Sequence, residues 1–373
     1  MVHTAERVAL TSNNAGTERS LVIHRFGQPG ERPKSYIQAG LHASEVPGIV
    51  IAHHLIASLA EADRNGEIAG EIIVVPACNP IGLGDVALGV HLGRYSLASG
   101  ANFNRGFIDL AAAVAPKVEG QLTNDADENV ALIRRAMHAV LSARRPKNEI
   151  DDLRLTLLRL AADADFVYDL HAEEDAMFAA VLAPWTLSAA ERLVADMGPE
   201  LVFYADYPQL FDTACSRPWA DLPKRFPTHP IPQACLSVTL ELRGSGHVDD
   251  TQAKRDADGL LTVLRRNGHA AGSLPPAPAL RSTPIRFEGV AFVRAAAPGI
   301  VVYTCELGDR VSEGDVIAEI VQPFAHDPAQ VRLPVRAGTS GVVFARRHAV
   351  VVQADDVVAK VAGDQPLQDP KHY

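Results

Sequence analysis

Apolar and polar positions follow two different rhythms along this chain. From residue 21 to about 270, short apolar runs of strand length alternate with segments whose apolar positions recur three and four residues apart. That alternation is the pattern of an α/β fold. Strands are expected over 21–25, 35–41, 71–76, 166–171, 178–182 and 234–242, and helices over 46–62, 126–143, 150–162 and 251–266. In the 46–62 segment Ile49, Val50, Leu55, Ile56 and Leu59 fall at helical spacing, and Pro47 sits in the first turn, where its missing N–H costs no hydrogen bond. Residues 81–125 are rich in Gly, Ser and Asn, lack a clean period and read as a long functional loop. A proline-rich connector, 272–279, ends the helical rhythm, and 285–363 holds short β-rich runs separated by turns. The expectation is a large α/β domain, 1–275, followed by a small all-β domain, 284–365.

Composition narrows the function classes. The 373 residues are 47% hydrophobic and 21% charged, enough to bury a large core and a smaller one. A formal net charge of −10 argues against nucleic-acid recognition through a basic face and offers nothing to an anionic membrane. No apolar run approaches the roughly 18–20 residues of a spanning helix, and residues 1–7 lack the basic-then-apolar pattern of a secretory leader. Cys78, Cys215, Cys235 and Cys305 are scattered and form no Cys-x-x-Cys pair, so they read as free thiols of a reducing, cytoplasmic setting.

Two of the expected strands end in chemistry that an apolar run does not need. The first gives way to His42-Ala43-Ser44-Glu45 at a strand-to-helix junction, so one imidazole and one carboxylate leave the same turn. The other, Phe166-Val167-Tyr168-Asp169-Leu170-His171, ends in a second histidine. His, Glu and His, with a fourth position left for water, form a common donor set for catalytic zinc. Glu241 lies near the end of a further apolar strand, where a carboxylate must be paired, metal-adjacent or shifted in pKa. Taken alone, His42 and Glu45 read better as a helix start with an acid favouring the dipole, and it is His171 and Glu241 that turn the reading toward a metal. Glu173, Glu174 and Asp175 read as a solvated acidic turn, and His53, His54, His91 and His138 as structural, while His247 follows the Glu241 strand closely enough to be watched.

His42-Ala43-Ser44-Glu45, Asn102-Phe103-Asn104-Arg105, Asp169-Leu170-His171 and Thr239-Leu240-Glu241 occur in the order seen in the succinylglutamate desuccinylase/aspartoacylase family, which this chain resembles over roughly residues 20–270. The resemblance implies a zinc-carboxypeptidase-like mixed sheet flanked by helices, with Zn2+ held by His42, Glu45 and His171 at a net site charge of about +1. It implies Glu241 as general base and Asn104 and Arg105 as substrate contacts. The Arg105 guanidinium is read either as a fork for a substrate carboxylate or as an aid in polarising the scissile carbonyl, and Arg94 is a further candidate carboxylate contact. Asn102 departs from the pattern: the wider fold places an aspartate there to orient the first zinc-binding histidine.

The C-terminal segment resembles the barrel-sandwich fold of biotinyl and lipoyl carriers, with residues 308–315 as a hairpin turn. It has no lysine between Val321 and Gly341 to carry a prosthetic group, so a lid, gate or oligomer contact is expected instead. The sequence reading is a zinc-dependent amidohydrolase acting on a small N-acylated substrate, in a homo-oligomer. A metallocarboxypeptidase acting on short peptides and a non-catalytic binding protein on the same fold are the rivals.

Overall fold

The computed structural model describes residues 3–328 and 331–367. Among the described residues the centre is a nine-stranded mixed sheet. Its spatial order is Thr4–Leu10, Arg19–Gly27, Glu71–Val75, Lys34–Ala39, Phe166–Glu173, Leu236–Gly244, Ala179–Leu182, Leu201–Tyr204 and Ile285–Arg286. The four strands from Glu71–Val75 to Leu236–Gly244 run parallel, and antiparallel pairings flank them on both sides. Both faces of these central strands are covered, so even the polar residues within them, Ser35, Gln38, Asp169 and Ser237, are buried.

Side chains alternate between two cores, as the period of a strand requires. Tyr36 and Val167 face Val114, Ile133, Met137 and Leu153, from the helices Leu110–Val118, Ala126–Ala143 and Glu149–Ala161. Ile37, Phe166, Tyr168 and Val238 face Ile51, Leu55, Leu260 and Leu264, from Pro47–Arg64 and Asp250–Arg266. Asp109, Asp125, Asn148 and Asp249 start four of these helices by accepting backbone N–H groups one turn in.

Three expectations change. The 81–125 segment is not all loop, because Leu110–Val118 is helical and Pro80–Leu83 forms a helical turn. Thr4–Leu10 adds an edge strand, largely exposed and so without an apolar pattern. Between residues 183 and 233, Leu201–Tyr204 is a strand, and Phe211–Ser216 and Pro218–Arg225 are short helices.

Residues 290–363 build two small sheets around Val293, Ile317, Ile320, Val343, Val358 and Val361. They join the large sheet through backbone pairing. Asp175–Ala176 lies antiparallel to Gly341–Arg346, and Ile285–Arg286 pairs with Leu201–Tyr204. Phe203, Val290 and Phe344 share one buried cluster across the junction. No helix among the described residues is long and apolar enough to cross a membrane.

Candidate metal and active site

Three neighbouring parallel strands end at one place. Lys34–Ala39 stops at Gly40, whose positive φ of 71° lets the chain turn sharply and carry His42 and Glu45 back over the sheet edge. On the next strands, His171 stands directly opposite Glu241, and Asp169 opposite Thr239. The carboxyl ends of parallel strands are where open α/β sheets gather their ligands.

His42, Glu45 and His171 are buried, and one donor atom from each lies within 4.8 Å of the others. The Nδ1 atoms of both histidines turn inward, 2.9 Å from Glu45 Oε1 for His42 and 2.7 Å from Oε2 for His171. Both Nε2 atoms turn outward, that of His42 to Asn102 Oδ1 at 2.9 Å and that of His171 to Asn104 Nδ2 at 3.3 Å, with Asp169 Oδ2 beside it at 3.0 Å as a charge partner out of line for a hydrogen bond. For His42, an Nε2–H donated to Asn102 leaves a lone pair on Nδ1, facing a carboxylate oxygen that also carries only lone pairs. That contact calls for a proton or a cation between the two atoms. The donor set therefore fits a metal ion, and these three residues could hold one.

The electrostatics follow. Burial works against charge on Glu45, but His171 and His42 pull its carboxyl far below the usual range. Burial also opposes a charged His171, and Asp169 and Glu45 more than reverse it. His42 moves down, because burial outweighs the help from Glu45. Glu45 accepts two further bonds, from the Ala172 N–H at 3.1 Å and from Arg94 at 2.9 Å.

The cluster opens into a cavity of about 330 Å³. All seven sequence candidates border it: His42, Glu45, His171, Glu241, Asn104, Arg105 and Arg94. Glu241 is driven up to about 8 by burial, by Glu173 and by Glu45. The Asn104 side chain is engaged at both ends, its Nδ2 near His171 Nε2 at 3.3 Å and its Oδ1 accepting the Phe211 N–H at 3.0 Å. Arg105 bonds the Asn104 carbonyl, and Arg94 reaches Glu45 rather than an open carboxylate site. Gly93 lets this loop lie flat on the metal turn, its carbonyl accepting the Ala43 N–H at 2.8 Å. Asn102 fills the orienting position with a neutral amide oxygen. The full carboxylate in the outer shell belongs to the other histidine, through Asp169.

Sequence reasoning missed several cavity residues. Lys360, from Val357–Gly363, bonds Glu173, and both line the cavity. The acidic turn is therefore solvated only in part: Glu174 is exposed but accepts the His348 N–H, and Asp175 binds Arg346. A lone lysine inside the run Val357-Val358-Ala359-Lys360-Val361-Ala362 was the available signal. Asp212 also lines the cavity and had none. Phe287, Phe292 and Phe344 complete its apolar wall. His247 borders a separate small cavity beside Pro47 and Val50, while His54 bonds Asp250.

A profile of the succinylglutamate desuccinylase/aspartoacylase catalytic domain matches residues 31–266, and the chain belongs to that family. A relative from Halomonas elongata, N-alpha-acetyl-L-2,4-diaminobutyric acid deacetylase, is 25% identical over 337 residues, which span 89% of this chain and 83% of the relative. The fold is shared with a protein from Shewanella frigidimarina assigned to the same family, with a TM-score of 0.85 at 22% identity, covering 98% of this chain and 99% of that one. The ectoine utilization protein EutE (DoeB) from Ruegeria pomeroyi, solved with product bound, shares it at a TM-score of 0.67 and 19% identity, covering 98% of this chain and 95% of that one.

Proposed function

We infer that this protein is a zinc-dependent amidohydrolase that removes an N-acyl group from an amino acid or related small amine. The observation that carries the reading is the inward-facing His42–Glu45–His171 donor set beside Glu241 in one cavity. Bound there, Zn2+ supplies Lewis-acid polarisation of the acyl carbonyl and a lowered pKa for water. Glu241 stands across from His171 in register and lines the same cavity. Its carboxylate takes the proton from the attacking water and delivers it to the leaving nitrogen, and a carboxyl raised toward neutrality can do both. Arg105, at the cavity edge, steadies the carboxylate of an acylated amino acid or the oxygen of the carbonyl under attack. Asn104 borders the substrate while holding His171 and the Phe211 backbone in place.

The named activity of the Halomonas elongata relative supports amide cleavage on a small acylated amino acid. The wall of Phe287, Phe292, Phe344 and Lys360 supports a capped pocket over one that admits a peptide chain. Amine release by the zinc-loaded protein from N-acetyl and N-succinyl amino acids, diamines and short peptides tests the reading. Glu241→Gln should keep its zinc and lose about 10²- to 10⁴-fold in turnover. Release of C-terminal residues from peptides, with none from the small acylated compounds, would overturn it in favour of a carboxypeptidase.

A further inference from the structure

The floor of the cavity is one face of the large sheet, and its chemistry changes from strand to strand. His171, Glu241 and Ala179 stand opposite one another on three neighbouring strands, and Thr239, Val181 and Phe203 do so two residues along. All six line the cavity. Strands are spaced by about 4.8 Å, so the Val181 strand lies roughly 10 Å across the sheet from the His171 strand. Over that distance the lining passes from ionisable groups to hydrocarbon. Met177, Val181, Phe287 and Phe292 pack on the buried cluster of Phe203 and Phe344 and are themselves only partly buried. Each of the four borders the cavity, so together they form its apolar wall. Tyr207 borders it too, its ring edge-on to Phe287 with centroids 5.6 Å apart.

Covering such a wall with an apolar group is favourable in proportion to the area taken from water. Lys360 is the cation that meets it, over the Phe292 ring at 5.2 Å, and its ammonium is taken up by Glu173. A substrate carboxylate or ammonium placed on the wall would lose its water against methyl, thioether and ring carbons. Reach decides the size of the group. With carbon–carbon bonds of about 1.5 Å, a methyl on the scissile amide stays beside the metal cluster, whereas an aromatic side chain extends far enough to meet the wall.

We propose that this wall is an apolar subsite, and that the preferred substrates carry an aromatic or branched aliphatic group on one side of the amide. The assignment rests on the deacylase reading and specifies the substrate class of that site. The group enters as the side chain of the amine or as part of the acyl chain; hydrocarbon recognises both alike, and the test separates them. Val181 determines the specificity, because it stands on the sheet between the Glu241 strand and the aromatic residues.

The test uses two pairs of compounds of equal charge. N-acetyl-L-phenylalanine against N-acetyl-L-alanine puts the ring on the amine, and N-phenylacetylglycine against N-acetylglycine puts it on the acyl group. Zinc-loaded wild type should favour the ring-bearing member of at least one pair by about tenfold or more in kcat/KM. The pair that responds names the half of the substrate that occupies the wall. Val181→Asp, shown by circular dichroism to be folded, should bring that ratio close to one. Wild type alone gives a second readout: the ring-bearing product of that pair, L-phenylalanine or phenylacetate, should inhibit more strongly than L-alanine or acetate. Ratios near one in both pairs, a ratio that survives Val181→Asp, or equal inhibition by the products overturns the subsite and leaves the deacylase standing. If no acylated compound is cleaved, the deacylase reading fails on its own. The subsite is then judged by calorimetric binding of L-phenylalanine against L-alanine and of phenylacetate against acetate, and no difference in either pair overturns it.

Discussion

Asp169 is fully buried and turns its two oxygens to two different side chains. Oδ1 accepts from Gln38 Nε2 at 2.9 Å, and Oδ2 lies 3.0 Å from His171 Nε2. Gln38 cannot turn its amide over without loss, because its own Oε1 accepts the Tyr36 hydroxyl at 2.9 Å. Asp169→Asn keeps the shape and removes one acceptor. Turned toward Gln38, the new NH2 group meets an N–H and leaves a buried donor pair unsatisfied, at about 1–3 kcal/mol; turned either way, the amide takes away the negative charge that favours a charged His171 ring. Without that charge the His171 ring is held less firmly toward the metal. Outer-shell substitutions of this kind lower metal affinity about 10- to 100-fold, or roughly 1.4–2.7 kcal/mol. Zinc affinity measured by competition with a chromophoric chelator, on protein shown by circular dichroism to be folded, should fall in that range. Asn102→Asp places a carboxylate behind His42 and should strengthen binding. A folded Asp169→Asn protein that holds zinc within about twofold of wild type would refute the claim that this carboxylate orients the ligand.

Glu173 raises the Glu241 pKa and Lys360 lowers it. If Glu241 must be ionised to accept a proton, Glu173→Gln should shift the acidic limb of the kcat/KM profile to lower pH, and Lys360→Met to higher pH; shifts of the opposite sign would remove Glu241 as the base. A Cβ on Gly93 would overlap the Ser44 nitrogen and sit 2.7 Å from the Ala43 carbonyl carbon. Gly93→Ala should therefore push the Arg94 loop off the metal turn and lower zinc content and turnover together, while the far-ultraviolet spectrum is kept. Burial lowers His269 from 6.5 to about 4. Because the folded value lies below the unfolded one, the unfolded chain takes up the proton first. The stability held by the neutral ring is complete above about 6.5 and is lost as pH falls toward 4, by about 3 kcal/mol. Urea unfolding at pH 7 and pH 4.5 should show that loss in wild type and less of it in His269→Gln.

The cluster that could hold a metal was legible because its residues stand at strand ends, where a change from apolar to ionisable needs a cause. The long helices were legible for a related reason: Ala126–Ala143 and Asp250–Arg266 each bury one face and wet the other. Short helices were not. Pro116 lies inside Leu110–Val118, and Pro218 and Pro223 lie in Pro218–Arg225, so each reads as a break until packing fixes it. Glu173 looked solvated because its partner Lys360 stands 187 residues away. Asp212 follows the buried Phe211, whose ring packs on Tyr36 and Phe107. Nothing local marks the carboxylate that this packing draws in.

The order in which the cavity is encoded has a consequence for synthesis. His42, Glu45, His171 and Glu241 all precede residue 242, whereas Phe287, Phe292, Phe344 and Lys360 of the wall come later. At ribosomal rates of about 5–20 residues per second, the 119 residues that follow Glu241 as far as Lys360 (360 − 241) take roughly 6–24 s to appear. The nascent chain thus carries the candidate metal cluster and Glu241 before it carries Lys360 and the aromatic part of the wall. Until that later segment packs against the large sheet, this side of the cavity stands open, and the acidic residues beside it lack their lysine.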